Sequence, residues 1–215
     1  MSSWNSQHFL SAEHEPTRRV RCPVHGFIYY SEREQEIIDH EVFQRLRNIR
    51  QLAFTNYVYP GAVHTRFEHS LGVMELAGQA FDSLCLRYPD LLEENFRSLP
   101  ELQDKPLPKA RQLVRLMGLL HDIGQPAFSH ACECIFPKDR EGRQLNHEDL
   151  TAWILSSDGP LGAELDRKFF PGISRLLEVT FSKREEIPQL FVLMQLISGQ
   201  LDLDRMDYLL RDSLH

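Results

Sequence analysis

Residues 108–124 read PKARQLVRLMGLLHDIG. Leu113, Leu116, Met117 and Leu120 recur at helical spacing, so the stretch predicts a helix that starts near Pro108. It ends at His121-Asp122, with Gly124 as its stop signal. A helix that is apolar along its length and presents an imidazole and a carboxylate at its last turn must satisfy both groups there. A metal ion would do so, and neutral imidazole with carboxylate suits Mn, Fe, Zn or Ni better than Ca. Adjacent residues point about 100° apart around a helix axis, so the two can bracket one ion only from a helix end. The remaining ligands must come from other helices.

The helical period recurs outward from this stretch. Ser31 and Glu34 form a capping box. Ile38, Val42, Leu46 and Ile49 follow at helical spacing and predict a long first helix. A second runs from about Arg66 to Tyr88 and stops at Pro89, with Val73, Leu76, Ala77, Phe81 and Leu84 as its apolar set. Residues 98–108 hold three prolines and read as a loop. Asn146 caps a helix through Leu155, and Pro188 opens another to Ile197. The last begins at Leu201 with Leu203, Met206, Leu209 and Leu210 on a stripe. It reaches His215 without a stop signal, so the expectation is that the chain continues. Val20–Tyr30 holds the β-prone run Phe27-Ile28-Tyr29-Tyr30 and predicts a short strand, while residues 1–19 read as a flexible leader. The fold class is mainly α, with a single compact domain over 20–215.

Composition narrows the function. At about 150 residues per domain, 215 residues make one domain or one and a half. With 42% hydrophobic and 26% charged residues, wholesale disorder and fibrous repeats are excluded. A net charge of −7 makes a nucleic-acid backbone an unfavourable partner. No apolar run approaches the roughly 18–20 residues of a membrane helix. The polar N-terminus is no signal peptide, so the expected location is cytoplasmic. Cys22, Cys85, Cys132 and Cys134 show no paired spacing and read as reduced thiols, the latter two packed rather than metal-bound.

His69, near the start of its helix, and Asp204 are the candidate further ligands. Asp202, Asp204 and Asp207 stand at i, i+2 and i+5. One or two of them share the core-facing side with Leu203 and Met206, or all belong to a solvated helix start. Arg66 lies three residues before His69 on the same face and reads as a phosphate clamp. His130 and Glu133, at i and i+3, make a general acid oriented by a carboxylate, or an ordinary surface pair.

His69, His121-Asp122 and Asp204, in that order, resemble the metal signature of the HD phosphohydrolase superfamily. The stretches Phe43–Arg47, Gln51-Leu52, Tyr57–Ala62, Arg66–Val73, Leu120–Gly124, Pro126–His130 and Asn146–Glu148 are similar to the deoxynucleoside triphosphate triphosphohydrolases. Pro23–Gly26 and Asp202–Asp212 match as well. This family includes dGTPase-like and sterile-alpha-motif-containing members. The resemblance covers residues 20–215 and implies an HD-domain helical fold whose second half lies outside this sequence. It implies hydrolysis of dNTPs to deoxynucleoside and triphosphate, with one divalent transition metal on His69, His121, Asp122 and Asp204 and Mg on the substrate phosphates. It implies His130 as the catalytic histidine, with Glu133 where members carry Asp, and His147 as a second active-site histidine. Arg66 would touch the α-phosphate and Arg205 another phosphate, while Gln51, Leu52, Tyr208 and Asp212 would contact the sugar.

Asp39, Gln44 and Arg47, at i, i+5 and i+8 on the first long helix, match positions that hold a guanine-nucleotide activator between subunits. That implies a homo-oligomer; a solvated polar face is the alternative. Two departures stand out. Gln125 replaces a histidine, and Arg21-Cys22 replaces an Asn-Asp pair. The rival functions are another HD hydrolase, acting on a nucleoside monophosphate or cyclic nucleotide, and a nucleotide-binding regulatory module without turnover, which Gln125 favours.

Overall fold

The computed structural model describes residues 16–128, 132, 134–182 and 187–214. Strands β1 (Arg18–Cys22) and β2 (Gly26–Tyr30) form an antiparallel hairpin, with Arg18 opposite Tyr30 and Cys22 opposite Gly26. The single strand expected over 20–30 is therefore two, and the first takes in Arg18 and Arg19 from the expected leader. A three-residue turn, Pro23–His25, separates them, and Gly26 follows with φ +75°, as such turns require.

The Ser31 capping box opens α1 (Glu32–Asp39): Glu34 Oε2 accepts from the Ser31 N–H at 2.8 Å, and Ser31 Oγ accepts from the Glu34 N–H at 3.2 Å. The expected long first helix ends here. His40 is extended at ψ 137°, and its Nδ1 accepts from the Val42 N–H at 3.2 Å. That starts a separate helix, α2 (Glu41–Gln44), which tightens to 3₁₀ over Arg45–Asn48. Apolar spacing runs through the break because both pieces face the same core.

The helices that follow are α3 (Arg66–Arg87), α4 (Pro89–Arg97), α5 (Pro106–Leu120), α6 (His147–Leu155), α7 (Gly162–Lys168), α8 (Ile173–Ser182), α9 (Phe191–Ser198) and α10 (Leu203–Leu214). Pro89 ends α3 and also supplies the first turn of α4, where its missing N–H costs nothing. That second role is why α4 was not foreseen; α7 and α8 also lie outside the expected elements. Among the described residues no helix is long and apolar enough to cross a membrane.

Helix α5 runs through the centre, with Leu113, Val114, Leu116, Met117, Leu119 and Leu120 fully buried, and packs along α3. Its polar face is buried too. Arg115 Nε donates to Glu34 Oε1 at 2.7 Å and its Nη2 to the Tyr29 carbonyl at 2.8 Å, which ties α5 to α1 and the hairpin. Arg115 holds the Glu34 carboxyl below its ordinary range against the opposing effect of burial.

Two expectations fail on burial. In α10 the inward face is Leu203, Asp207 and Arg211, whereas Met206, Leu209 and Leu210 are exposed. The polar residues have partners inside the fold, so they displace the apolar stripe outward. Cys22 and Cys85 are buried free thiols, but Cys132 is only half-buried and Cys134 is exposed, so that pair does not pack.

Replacing Arg115 by Met leaves Glu34 buried without its cation. The expected loss is about 3–5 kcal/mol, read from the urea unfolding midpoint. Adding Glu34→Gln to that variant should recover part of it, because the uncompensated charge is gone.

Candidate metal centre

Thr65 and Glu68 set the start of α3, with Glu68 Oε1 accepting from the Thr65 N–H at 2.9 Å. This places Arg66 at the first position and His69 one turn in, both buried. The end of α5 delivers His121 at its cap and Asp122 in the turn that follows. Arg45 fixes that turn by donating to the carbonyls of Gln125, at 2.7 Å, and Ile123. Gly124 is not the left-handed stop expected of it, since its φ is not positive. It permits close approach instead: a Cβ there would lie 2.5 Å from the Thr151 nitrogen of α6. The first turn of α10 brings Asp204.

These residues converge. His69 Nε2 lies 3.0 Å from Asp204 Oδ1, 3.3 Å from His121 Nε2 and 3.8 Å from Asp122 Oδ2. His121 Nε2 lies 3.4 Å from Asp122 Oδ2 and 3.8 Å from Asp204 Oδ1. With metal–ligand bonds of about 2.0–2.2 Å, neighbouring donors sit roughly 3.0 Å apart at right angles and about 3.4 Å apart in a tetrahedron. The observed separations match such a shell. His69, His121 and Asp204 form the tightest group, while Asp122 Oδ2 is shared with Arg66 Nη1.

The donor chemistry fits a divalent cation. His121 Nδ1 lies 2.8 Å from the Gly118 carbonyl, which can only accept, so Nδ1 carries the proton. His69 Nδ1 lies 2.7 Å from Asp207 Oδ2 and donates to it. Both Nε2 lone pairs therefore face one another, and only a proton or a metal ion reconciles them. Without metal, protons take that place. Burial opposes a charged His121, but Asp122 and Asp204 outweigh it and push its pKa up to about 9. His69 is raised likewise against burial by Asp204 and Asp207. Burial would raise Asp122, yet His121 and Arg66 hold it well below the usual carboxylate range.

Asp207 is the residue that sequence reasoning left unassigned. Its carboxylate is buried under the ring it orients, and such support is nearly as consequential as direct ligation. One signal was available in Gly72: a Cβ on that residue would fall on Asp207 Oδ1 and reach 2.5 Å from Arg211 Nη2. A glycine in mid-helix, one turn from a candidate ligand, marks such a close approach.

The centre opens into a cleft of about 270 Å³ lined by Gln51, Arg66, Gln125, His147, Asp204 and Tyr208, among others. A wider cleft of about 740 Å³ adjoins it through Glu148 and Phe181. Other expected contacts are elsewhere. Leu52 is not part of the cleft wall. Arg205 is exposed and its Nη1 donates to the Gln200 carbonyl at 3.1 Å, because the α10 start turns it outward. Asp212 lies 3.1 Å from buried His64. The break at His40 puts Asp39, Gln44 and Arg47 on three successive short segments rather than one long helix. There Arg47 Nε donates to Gln44 Oε1 at 2.7 Å and its guanidinium covers the Phe67 ring. His130 and Glu133 lie outside the described residues.

The HD domain family profile matches residues 66–212. An HD domain-containing protein of Acanthamoeba polyphaga mimivirus is 34% identical over 95% of this chain and 44% of its own length. The deoxynucleoside triphosphate triphosphohydrolase SAMHD1 homolog of Dictyostelium discoideum is 32% identical over 89% of the chain and 35% of its own length. Its counterpart from Danio rerio is 31% identical over 94% and 34%. A crystal structure of an Aquifex aeolicus protein superposes with a TM-score of 0.68 at 31% identity, over 92% of this chain and 46% of that one. The chain thus spans between a third and a half of the length of these proteins.

A group whose pKa is raised on folding stabilises the fold below its unfolded value and loses that contribution as pH climbs through the folded one. For His121 the window runs from 6.5 to about 9. In the presence of a chelator, thermal unfolding midpoints should therefore fall across this range. Excess Mn²⁺ should reduce or reverse the fall, because a metal ion takes imidazoles in their deprotonated form. A flat profile in chelator contradicts the electrostatic assignment.

Proposed function

The chain belongs to the HD domain family, whose members are metal-dependent phosphohydrolases, and we propose that it hydrolyses dNTPs to deoxynucleoside and triphosphate. The observation that carries the proposal is the convergence of His69, His121, Asp122 and Asp204 beside a cleft with an arginine at its wall. Support for the substrate class comes from relatives named as deoxynucleoside triphosphate triphosphohydrolases.

His69, His121, Asp122 and Asp204 are the proposed ligands of one divalent ion, Mn, Fe, Zn or Ni, with Mg accompanying the substrate phosphates. Bound there, such an ion supplies Lewis acidity toward a phosphoryl oxygen and toward water. Arg66 offsets the negative charge that grows on the α-phosphate. His130 protonates the departing 5′-oxygen, with Glu133 proposed to orient it, and His147 is the second histidine of the site. Gln51 and Tyr208 contact the deoxyribose, consistent with their place on the cleft wall. Leu52, Asp212 and Arg205 belong to the same proposal but require movement toward the cleft on substrate binding. A guanine nucleotide at Asp39, Gln44 and Arg47 is proposed to promote a homo-oligomer.

A hydrolysis panel of dNTPs, dNMPs and cyclic nucleotides with Mn²⁺ tests the substrate. Inorganic triphosphate released from dNTPs is the expected product. Turnover of the other classes alone, or of none, favours another HD hydrolase or a regulatory module. His121→Ala should lose the metal by elemental analysis. His130→Ala should keep it and lower kcat by about 10²–10⁴-fold. Sedimentation with and without GTP, repeated on Asp39→Ala, tests the activator: assembly promoted by GTP in the parent and lost in the variant is expected.

A further inference from the structure

The hairpin is docked on α5 and on α10. Tyr29, in β2, is held by Arg115 of α5 through its carbonyl. The turn between the strands reaches further, since His25 Nε2 donates to Asp207 Oδ1 at 2.5 Å with its side chain 9% exposed. Asp207 has four donors: His25 and Arg211 Nη2 (3.1 Å) on Oδ1, and His69 Nδ1 (2.7 Å) and Arg211 Nε (2.5 Å) on Oδ2. A carboxylate offers about four lone-pair positions, so this one is saturated. Arg211 lies on the same helix one turn away, and its Nη1 lies 3.8 Å from Glu68 Oε2 of α3. His25 alone brings a donor to it from the hairpin. Arg211 Nη2 also reaches Cys22 Sγ at 3.5 Å, so β1 touches the same ion pair.

We propose that the β1–β2 turn is a component of the metal centre. His25 acts as a positioning residue that fixes the Asp207 carboxylate and, through it, the His69 ring. Docking of the hairpin and binding of the divalent ion are therefore coupled, and each favours the other by the same factor. This inference rests on the metal reading of the site.

Mn²⁺ affinity, measured by competition with a chelator, tests the coupling in the parent chain and in His25→Ala, His25→Gln and Arg19→Ala. The expected loss in His25→Ala is about tenfold or more. His25→Gln should recover most of it, because its Nε2 donor can take the place of the ring Nε2–H. Arg19→Ala, exposed on β1, should match the parent. Reciprocity requires that Mn²⁺ slow amide hydrogen exchange of residues 18–30 in the parent and not in His25→Ala. A His25→Ala chain that binds Mn²⁺ with parental affinity overturns the inference. If that variant fails to fold, hairpin exchange in the parent decides: indifference to Mn²⁺ overturns it. A parent that binds no Mn²⁺ overturns the metal reading itself, a result distinct from the others.

Discussion

Asp207 accepts from His69, His25 and Arg211 at a position with no exposed surface. Taking a carboxylate out of water costs several kcal/mol, recovered only where donors and a counter-charge meet it in good geometry. Burial would raise its pKa, yet His25, His69 and Arg211 hold the group far below the ordinary carboxylate range. It therefore stays ionised, and an ionised buried carboxylate cannot drift from its partners. Helix α3, helix α10 and the hairpin all meet at this side chain. The ring of His69 inherits its orientation from it, and Gly72 leaves the room.

The centre is assembled from helix ends. His69 and Arg66 sit in the first turn of α3, His121 and Asp122 at the end of α5, and Asp204 in the first turn of α10. The bodies of α3 and α5 are committed to the core and to structural ion pairs such as Arg115–Glu34, so it is their ends that reach the cleft. Within the cluster no neutral arrangement is comfortable: two imidazole nitrogens face each other between two carboxylates. Arg66 meets part of that charge through Asp122 and leaves the remainder for a cation. An electrostatically incomplete pocket of this kind is the physical basis for reading it as a site for a metal and an anionic substrate.

Several features were legible in the residues alone. The Ser31 capping box and the Asn146 cap depend on contacts within three residues, and both form; at Asn146 the Asp149 side chain completes a box as well. The terminal His121-Asp122 pair announced itself because the turn before it, Leu116 to Leu120, is apolar. Features that depend on distant partners were not legible. The end of the first helix at His40 is set by a side chain that caps the next helix. The α10 stripe was oriented backwards because apolar spacing cannot register a buried Asp207 and Arg211 that find each other.

By itself the sequence determined a mainly helical chain and the chemistry at the end of α5, because periodicity, caps and a polar pair at a helix end are local properties. It also put forward His69 and Asp204 as the further ligands. Only the tertiary structure gave Asp207 a role. Three residues apart, Asp204 and Asp207 share one helix face, and spacing cannot tell which meets the imidazole at Nε2 and which at Nδ1. The crossing of α10 over α3 makes that assignment, placing Asp204 at the cleft and Asp207 beneath it. The same crossing, with the docked hairpin, brings in His25 from 182 residues away in sequence.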